Sequence, residues 1–177
     1  MADLKEEVDA IVRGDPAAFR RLVLATGPKL VRLAARITGS VEDGEDVVQE
    51  AYVKAHRALV EGRFDRRSRV ETWLYRIVAN SAIDALRAGA KRPKSIETIP
   101  ERAWDGAGAA EARVALAELA ELLGGLPHEQ RAALVLKGVE GLSSSEIAEI
   151  MDTTEGAVEQ RLVRARAMLK EWGRTDE

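Results

Sequence analysis

The sequence predicts an all-helical protein made of two small domains. Aromatic residues are only 4% of the 177-residue chain, and it lacks runs of alternating β-branched residues. Apolar residues instead recur at helical spacing, and glycine and proline interrupt them. The predicted fold is all-α, with a four-helix N-terminal domain and a helix-turn-helix C-terminal domain joined by a flexible linker.

The first two predicted helices lie either side of Gly27-Pro28. Asp15 is a candidate N-cap, and Pro16 suits the first position of a helix. Gly27-Pro28 is expected to end this helix, so a second should run from Lys29 to Ile37 and stop at Gly39.

Two longer helices complete the predicted N-terminal domain. Ser40 can cap the third, which should reach Leu59, with acidic residues in its first turns where the helix dipole favours them. The fourth should run from Val70 to Ala90 and end before Pro93. Its expected core stripe is Leu74, Val78, Ala82 and Ala85.

The domain boundary is predicted in residues 93–110, a segment without periodicity that contains Pro93, Pro100 and Gly106-Ala107-Gly108. The domains are therefore residues 1–94 and 111–177, with residues 95–110 as the linker. A helix from Ala112 to Leu123 should close at Gly124-Gly125, and Leu126-Pro127 should open the next.

The last fifty or so residues carry the most informative pattern. Ser143 and Glu146 have capping-box spacing, so a short helix should begin there. After a tight turn, a second helix has one apolar stripe, which leaves three side chains pointing away from it: Gln160, Arg161 and Arg164. The pattern fits a helix-turn-helix that reads the major groove, or an ordinary helical hairpin with solvated arginines.

Charge is segregated along the chain. The net charge is −3, yet residues 1–94 hold 18 basic and 14 acidic side chains, a balance of +4, and residues 95–177 hold 9 and 16, a balance of −7. Residues 63–94 alone hold nine bases and three acids. One surface therefore suits a polyanion and another repels it.

Two helix faces have alternative interpretations. On the fourth helix, Trp73 begins a polar, mostly basic face that could stack and hold unpaired bases, or Trp73 could pack into the core. On the third, an acidic stripe around Asp46 and Glu50 could be solvated decoration or could dock on a basic protein surface.

Composition argues against several classes of protein. The chain has no cysteine and no apolar run long enough to span a bilayer, so we expect a cytoplasmic protein without membrane insertion. His56 and His128 lie on separate predicted helices without metal-ligand spacing, and no glycine loop suits a phosphate. We therefore expect no enzyme activity, cofactor or metal.

Together the motifs resemble those of extracytoplasmic-function (ECF) bacterial sigma factors, with sigma-70 regions 2 and 4 only. The resemblance rests on Asp43-Gly-Glu-Asp46-Val-Val-Gln49-Glu50, on Thr72-Trp73-Leu-Tyr-Arg76-Ile-Val-Ala-Asn80, on Leu126-Pro127 with Arg131, on Glu140-Gly-Leu-Ser143 and on Arg161-Leu-Val-Arg164-Ala-Arg166. It spans nearly the whole chain.

The resemblance implies a subunit that directs promoter-specific initiation. The clamp helices of RNA polymerase core would be bound by Asp43, Asp46, Gln49 and Glu50. The minus-ten element would be recognised and melted by Phe64, Arg66, Trp73, Arg76, Asn80, Asp84, Arg87, Lys91 and Arg92. The minus-thirty-five element would be read by Ser144, Thr154, Glu159, Gln160, Arg161, Arg164 and Arg166, with this domain seated on the polymerase flap. An anti-sigma factor is a further implied partner.

The sequence departs from the family pattern at two places. Glu159-Gln160 stands where relatives often have a base followed by serine, so Glu159 either accepts from a cytosine amino group or simply faces solvent. Gly44 replaces a frequent alanine, at a cost in helix propensity. The alternative function, a free-standing helix-turn-helix regulator binding duplex operators, leaves the acidic stripe and the Trp73 face unused.

Overall fold

The computed structural model describes residues 4–89, here called the N-terminal half, and residues 123–172, the helix-turn-helix half. Seven helices lie wholly within these two ranges, residues 123–125 are also helical, and neither range contains a strand. The expected all-α class is therefore confirmed. The predicted linker and most of the predicted helix from Ala112 to Leu123 lie outside the described residues.

The N-terminal half begins with a helix that the sequence did not predict, α1 (Lys5–Val12), which buries Val8 and Ile11. The next, α2 (Pro16–Thr38), is one continuous helix. Asp15 caps it as predicted, accepting from the Ala17 amide at 2.9 Å, and Gly39 ends it in the left-handed conformation. The predicted break at Gly27-Pro28 was wrong.

The interior proline of α2 is tolerated because it lies on the solvent side. Pro28 removes the amide that would donate to the Leu24 carbonyl one turn earlier. Pro28 is exposed and the Leu24 side chain is 67% exposed, so water can reach the carbonyl that loses its donor.

The third helix, α3 (Val41–Val60), is capped by Ser40, whose hydroxyl accepts from the Asp43 amide at 3.2 Å. Its buried face includes Val48, Tyr52, Ala55 and Leu59, and also Gly44, which lies against α2. The opposite face carries the acidic stripe.

The fourth helix, α4 (Val70–Gly89), buries a wider surface than one amphipathic stripe. Leu74, Val78 and Ala82 are buried as expected, but Ala85 is exposed, which corrects its assignment to the core. Tyr75 and Ile83 are buried as well. The reason is tertiary, since α4 packs on α2 and α3 and also on helices of the other half.

The helix-turn-helix half contains α5 (His128–Gly138), α6 (Ser144–Ile150) and α7 (Glu155–Trp172). The predicted capping box is confirmed: the Ser143 hydroxyl accepts from the Glu146 amide at 3.2 Å, and the Glu146 carboxylate accepts from the Ser143 amide at 2.8 Å. Val158, Leu162 and Ala165 of α7 are fully buried, as their spacing predicts.

The two halves share one continuous apolar cluster. Leu74 and Val78 of α4 belong to the same cluster as Leu136 of α5 and Ile147 of α6. Each such fully buried side chain contributes about 1.5–3 kcal/mol through removal from water. In this structure the two predicted helical domains are therefore packed together. None of the helices in the described ranges is long and apolar enough to cross a membrane.

Candidate polymerase and nucleic-acid interfaces

The acidic stripe of α3 is open to solvent. Asp46, Gln49 and Glu50 are exposed, and Asp43 is half-buried near the capped end of the helix. Val53, one turn beyond Glu50, is 62% exposed. Carboxylates beside an exposed apolar side chain can dock on a basic protein surface that offers an apolar contact.

The loop between α3 and α4 is tied to α1. Arg66 has a positive φ of 59°, and its guanidinium contacts Asp9 at 2.5 Å. Asp65 accepts from the Arg67 amide at 3.1 Å, an Asx turn that shapes the same loop. The backbone of this basic loop is therefore held near its middle, at residues 65–67, by side-chain contacts.

Two aromatic rings lie together at the start of α4. The Phe64 and Trp73 ring centroids are 4.7 Å apart with their planes tilted by 39°. Trp73 is half-buried. Its side chain is therefore neither a fully exposed stacking platform nor a fully buried core residue. It lines an open cleft of about 760 Å³, whose walls include Arg67 and Arg76 from one half and Thr154 from the other.

Three residues of the predicted minus-ten face bond to the helix-turn-helix half. Arg76 donates to Asp152 at 2.9 Å, and the Asn80 amide donates to the Ile150 carbonyl at 3.3 Å. Arg87 bonds both Asp84, at 3.4 Å, and Glu129. Lys91 and Arg92, predicted on the same face, lie outside the described residues.

The helix-turn-helix half places Thr154 at the start of α7. Its hydroxyl accepts from the Ala157 amide at 3.2 Å, so it caps the helix that would enter the groove. Gln160 and Arg164 are exposed on α7, as predicted, and Arg166 is exposed as well.

Glu159 is exposed on α7 and also contacts the neighbouring helix. Its carboxylate accepts from the hydroxyl of Ser144, which is only 6% exposed. The contact joins the first turn of α6 to α7.

Arg161 differs from its expected outward position. Its side chain is 24% exposed, and it donates to Glu129 at 2.6 Å and to the Thr153 hydroxyl at 3.1 Å. The hydrogen bond from Arg161, with that from Arg87, holds the pKa of Glu129 below its ordinary range. Glu129 was not singled out in the sequence, because a glutamate in a first helical turn is common.

Two buried polar residues link the halves. Arg131 is 5% exposed, and its guanidinium donates to the Ile37 carbonyl at 3.0 Å and to the Gly124 carbonyl at 2.5 Å. Burial lowers the pKa of this guanidinium, a desolvation cost that the carbonyl acceptors offset. The other is Glu140, whose side chain is 6% exposed and accepts from the Tyr75 hydroxyl at 3.0 Å.

Within residues 4–89 and 123–172, no cluster of three or more histidine or acidic side chains could hold a metal ion. The acidic surface lies on α3, whereas Trp73, Arg76 and Arg87 share α4. This arrangement suits one protein partner and one nucleic acid.

Comparison with known proteins gives two matches to family profiles. Sigma-70 region 2 matches residues 22–92, and sigma-70 region 4 matches residues 116–169. The RNA polymerase sigma-H factor of Pseudomonas aeruginosa is 37% identical over 171 residues, which cover 90% of this chain and 88% of that protein. The ECF RNA polymerase sigma-E factor of Escherichia coli is 38% identical with the same coverage.

Solved structures agree with this fold. CnrH, in complex with the cytosolic domain of CnrY, superposes with a TM-score of 0.70 at 30% identity and full coverage of both chains. The sigma factor RpoE of Bartonella quintana, in complex with the anti-sigma factor NepR, gives a TM-score of 0.68 at 24% identity, covering 90% of this chain and 98% of that one.

A free-standing helix-turn-helix regulator is not favoured, because the region 2 match accounts for the N-terminal half that such a regulator would leave unused. With both sigma-70 regions in order and 37–38% identity over 90% of its length, the chain belongs to the ECF sigma factors, which bind RNA polymerase core and direct promoter-specific initiation of transcription.

Proposed function

We propose that the acidic stripe of α3 is the polymerase-binding surface of this sigma factor. Asp46, Gln49 and Glu50 would contact the clamp helices of the core enzyme, with Asp43 at the edge. The observation that carries the proposal is that these side chains are exposed on a helix whose opposite face is buried. Negative charge there attracts a basic protein surface and repels DNA.

Promoter melting would use the loop and the polar face of α4. Phe64 and Trp73 offer aromatic surface to an unstacked base, and Arg66, Arg76, Arg87, Lys91 and Arg92 offer charge to the phosphates. Asn80 and Asp84 supply hydrogen bonds to base edges. Flipping a base costs a few kcal/mol, which these contacts would offset.

Recognition of the minus-thirty-five element would use α7, whose amino-terminal half would lie in the major groove. Thr154, Gln160, Arg164 and Arg166 are exposed for such contacts, and Arg161 would join them after leaving Glu129. Ser144 and Glu159 would act mainly by fixing the angle of α7, since they bond each other. This domain would also sit on the polymerase flap.

The assignment covers the whole chain, as residues 1–94 for region 2, residues 95–110 for the linker and residues 111–177 for region 4. The protein would make or break no bond itself and would work in the cytoplasm, where the polymerase is. An anti-sigma factor is a further expected partner, because the similar structures of CnrH and of RpoE were solved with CnrY and with the anti-sigma factor NepR.

Reconstituted transcription tests the function directly. Purified protein is mixed with core polymerase from its host on a fragmented genomic library, and transcript starts are mapped. We expect a set of starts that share one minus-ten and one minus-thirty-five element and that vanish with Asp46→Arg. Transcripts that are the same with and without the protein would contradict the proposal.

A further inference from the structure

The first helix, α1, is fixed to the rest of the N-terminal half from two sides. Its apolar face buries Val8 and Ile11 in the main apolar cluster. On its polar side, the Glu7 carboxylate accepts from Arg21 of α2 at 2.9 Å. The match to sigma-70 region 2 begins only at residue 22, so it assigns no role to α1. A helix held in this way can serve as a fixed support for a neighbouring loop.

Asp9 of α1 contacts the loop between α3 and α4. Its carboxylate lies 2.5 Å from the Arg66 guanidinium, and the two side chains are 34% and 46% exposed. The φ of Arg66 is 59°, in the left-handed region that residues other than glycine rarely adopt. Such a conformation persists where its surroundings hold it. The ion pair with Asp9 holds it from outside the loop.

The residues on either side of Arg66 face the cleft beside Trp73. Asp65 and Arg67 both line that cleft, whereas the Arg66 side chain is directed to α1. The Phe64 ring lies against Trp73, so the loop is held at residue 64 by α4 and at residue 66 by α1. A change in the backbone at Arg66 would therefore redirect the two side chains that flank it.

The ion pair also changes what Arg66 can offer to DNA. A guanidinium beside a carboxylate attracts phosphates less than a free one does, and the carboxylate itself repels them. If Arg66 acted mainly on phosphates, removal of the Asp9 carboxylate would strengthen DNA binding. If Arg66 acts mainly through the loop, the same change weakens recognition. The two roles therefore predict opposite signs.

We propose that Asp9 is a positioning residue for minus-ten recognition, which holds Arg66 and thereby directs Asp65 and Arg67 toward the base that lies beside Trp73. This rests on the minus-ten role proposed above for the loop and for α4. Arg66 then acts through the loop backbone, and Arg67 supplies the charge that the loop offers to the nucleic acid.

Limited proteolysis tests the support without polymerase or DNA. Trypsin cleaves after arginine. The loop offers four such sites: Arg63, Arg66, Arg67 and Arg69. Asp9→Ala leaves these sites unchanged but releases the loop, so cleavage there should become about two- to fivefold faster, the factor expected for a partly exposed ion pair. Glu6→Ala removes an exposed carboxylate from the same helix and should leave the rate unchanged. Far-ultraviolet circular dichroism should show equal helix content in both variants.

Binding of single-stranded DNA to the holoenzyme tests recognition itself. Labelled oligonucleotides carry either the minus-ten element found at the mapped transcript starts or the same bases in scrambled order. With Asp9→Ala, affinity for the minus-ten oligonucleotide should fall about two- to fivefold and affinity for the scrambled one should not fall, so the ratio of the two decreases. A phosphate contact carries no sequence information, so its gain would raise both affinities alike. Glu6→Ala should leave both unchanged.

A charge swap separates the ion pair from the charge of Arg66. Arg66→Asp alone should lower the ratio of the two affinities. Asp9→Arg combined with Arg66→Asp rebuilds the pair with its charges exchanged, and aspartate tolerates a positive φ better than most residues do. The double variant should recover most of the ratio, and most of the resistance to trypsin at the remaining arginines, although residue 66 no longer carries a positive charge.

Three results would overturn the inference. Equal cleavage rates in Asp9→Ala and Glu6→Ala would show that Asp9 does not hold the loop. A rise in both affinities with Asp9→Ala would show that Arg66 acts on phosphates instead. A double variant no better than Arg66→Asp alone would show that the loss does not come from the broken ion pair.

Failure of the inference and failure of the proposed function are distinguishable, because trypsin cleavage needs no polymerase. Normal transcription together with unchanged cleavage in Asp9→Ala would remove only the role of Asp9. Faster cleavage in a protein that directs no initiation would remove the proposed function, and the minus-ten role of the loop with it.

Discussion

Gly44 lies against the backbone of Ala35: a methyl group added at Gly44 would stand 2.7 Å from the Ala35 amide nitrogen and 2.9 Å from its Cα. Such contacts are too close for any side chain. The glycine that costs helix propensity in α3 is therefore the residue that lets α3 pack against α2 at this distance.

Gly44→Ala should destabilise the protein, although alanine favours a helix. Backbone atoms cannot move aside as a flexible side chain can, so α2 and α3 must separate, at a cost of about 1–3 kcal/mol. Thermal unfolding measures it, with Gly156→Ala, where no atom lies within 4 Å of the added methyl group, as the matched control. A higher Tm for Gly44→Ala would contradict the packing described here.

Asp46→Arg should weaken binding to core polymerase by about 2–3 kcal/mol, or roughly 100-fold, because it brings like charges together at the proposed interface. A pull-down or a titration with labelled protein measures it. Glu6→Arg, at an exposed position of α1, is the control. Full retention of core binding by Asp46→Arg would remove α3 from the interface.

Asn80→Ala should impair promoter opening more than binding to duplex DNA. The amide is proposed to contact an unpaired base, which exists only after melting. Permanganate reactivity of thymines around the start site reports opening, and a filter assay on the same promoter reports binding. Footprints equal to those of the unsubstituted protein would count against this role.

Arg164→Ala should lower the slope of log affinity against log salt by about one unit, as expected for one lost phosphate contact. Arg164 is exposed on α7, and Lys170→Ala, further along the same helix, serves as the control. An unaltered slope would show that Arg164 does not touch the DNA backbone.

Glu129→Gln should make stability less sensitive to acid. The arginine hydrogen bonds, Arg161 first, hold the folded-state pKa of Glu129 below its ordinary value of 4.5. Its contribution is present above about that pH and is lost as the pH falls through the lower folded-state pKa. The carboxylate is 36% exposed, so the loss should be about 1 kcal/mol or less.

Denaturant titrations at neutral pH and near pH 3 measure this difference. Glu149→Gln, at an exposed position of α6, should retain the acid sensitivity of the unsubstituted protein. If Glu129→Gln and Glu149→Gln lose the same stability between the two pH values, the Arg161 contact has no such role.

Local signals predicted the helix starts well. Asp15, Ser40 and the Ser143 and Glu146 pair act on amides two or three residues away, so the sequence alone contains both partners. Pro28 led to the wrong prediction of a helix break. The cost of the backbone hydrogen bond that it removes depends on which side of α2 faces solvent, and the local sequence does not show this. Helix α1 was missed because eight residues offer little periodicity.

The contacts between the halves depend on tertiary structure. Arg131 meets the Ile37 carbonyl 94 positions away, and Tyr75 meets Glu140 65 positions away. No spacing rule on one helix reveals such a pair. The same is true of Ala85, whose exposure follows from how α4 is covered by its neighbours.

The bonds between Ser143 and Glu146 and between Ser144 and Glu159 all lie inside the reading unit formed by α6 and α7. A seven-residue helix such as α6 would not persist in water by itself, and these internal bonds are what it needs. The unit formed by α6 and α7 can therefore move as a rigid body and bind a promoter without a change in its own conformation.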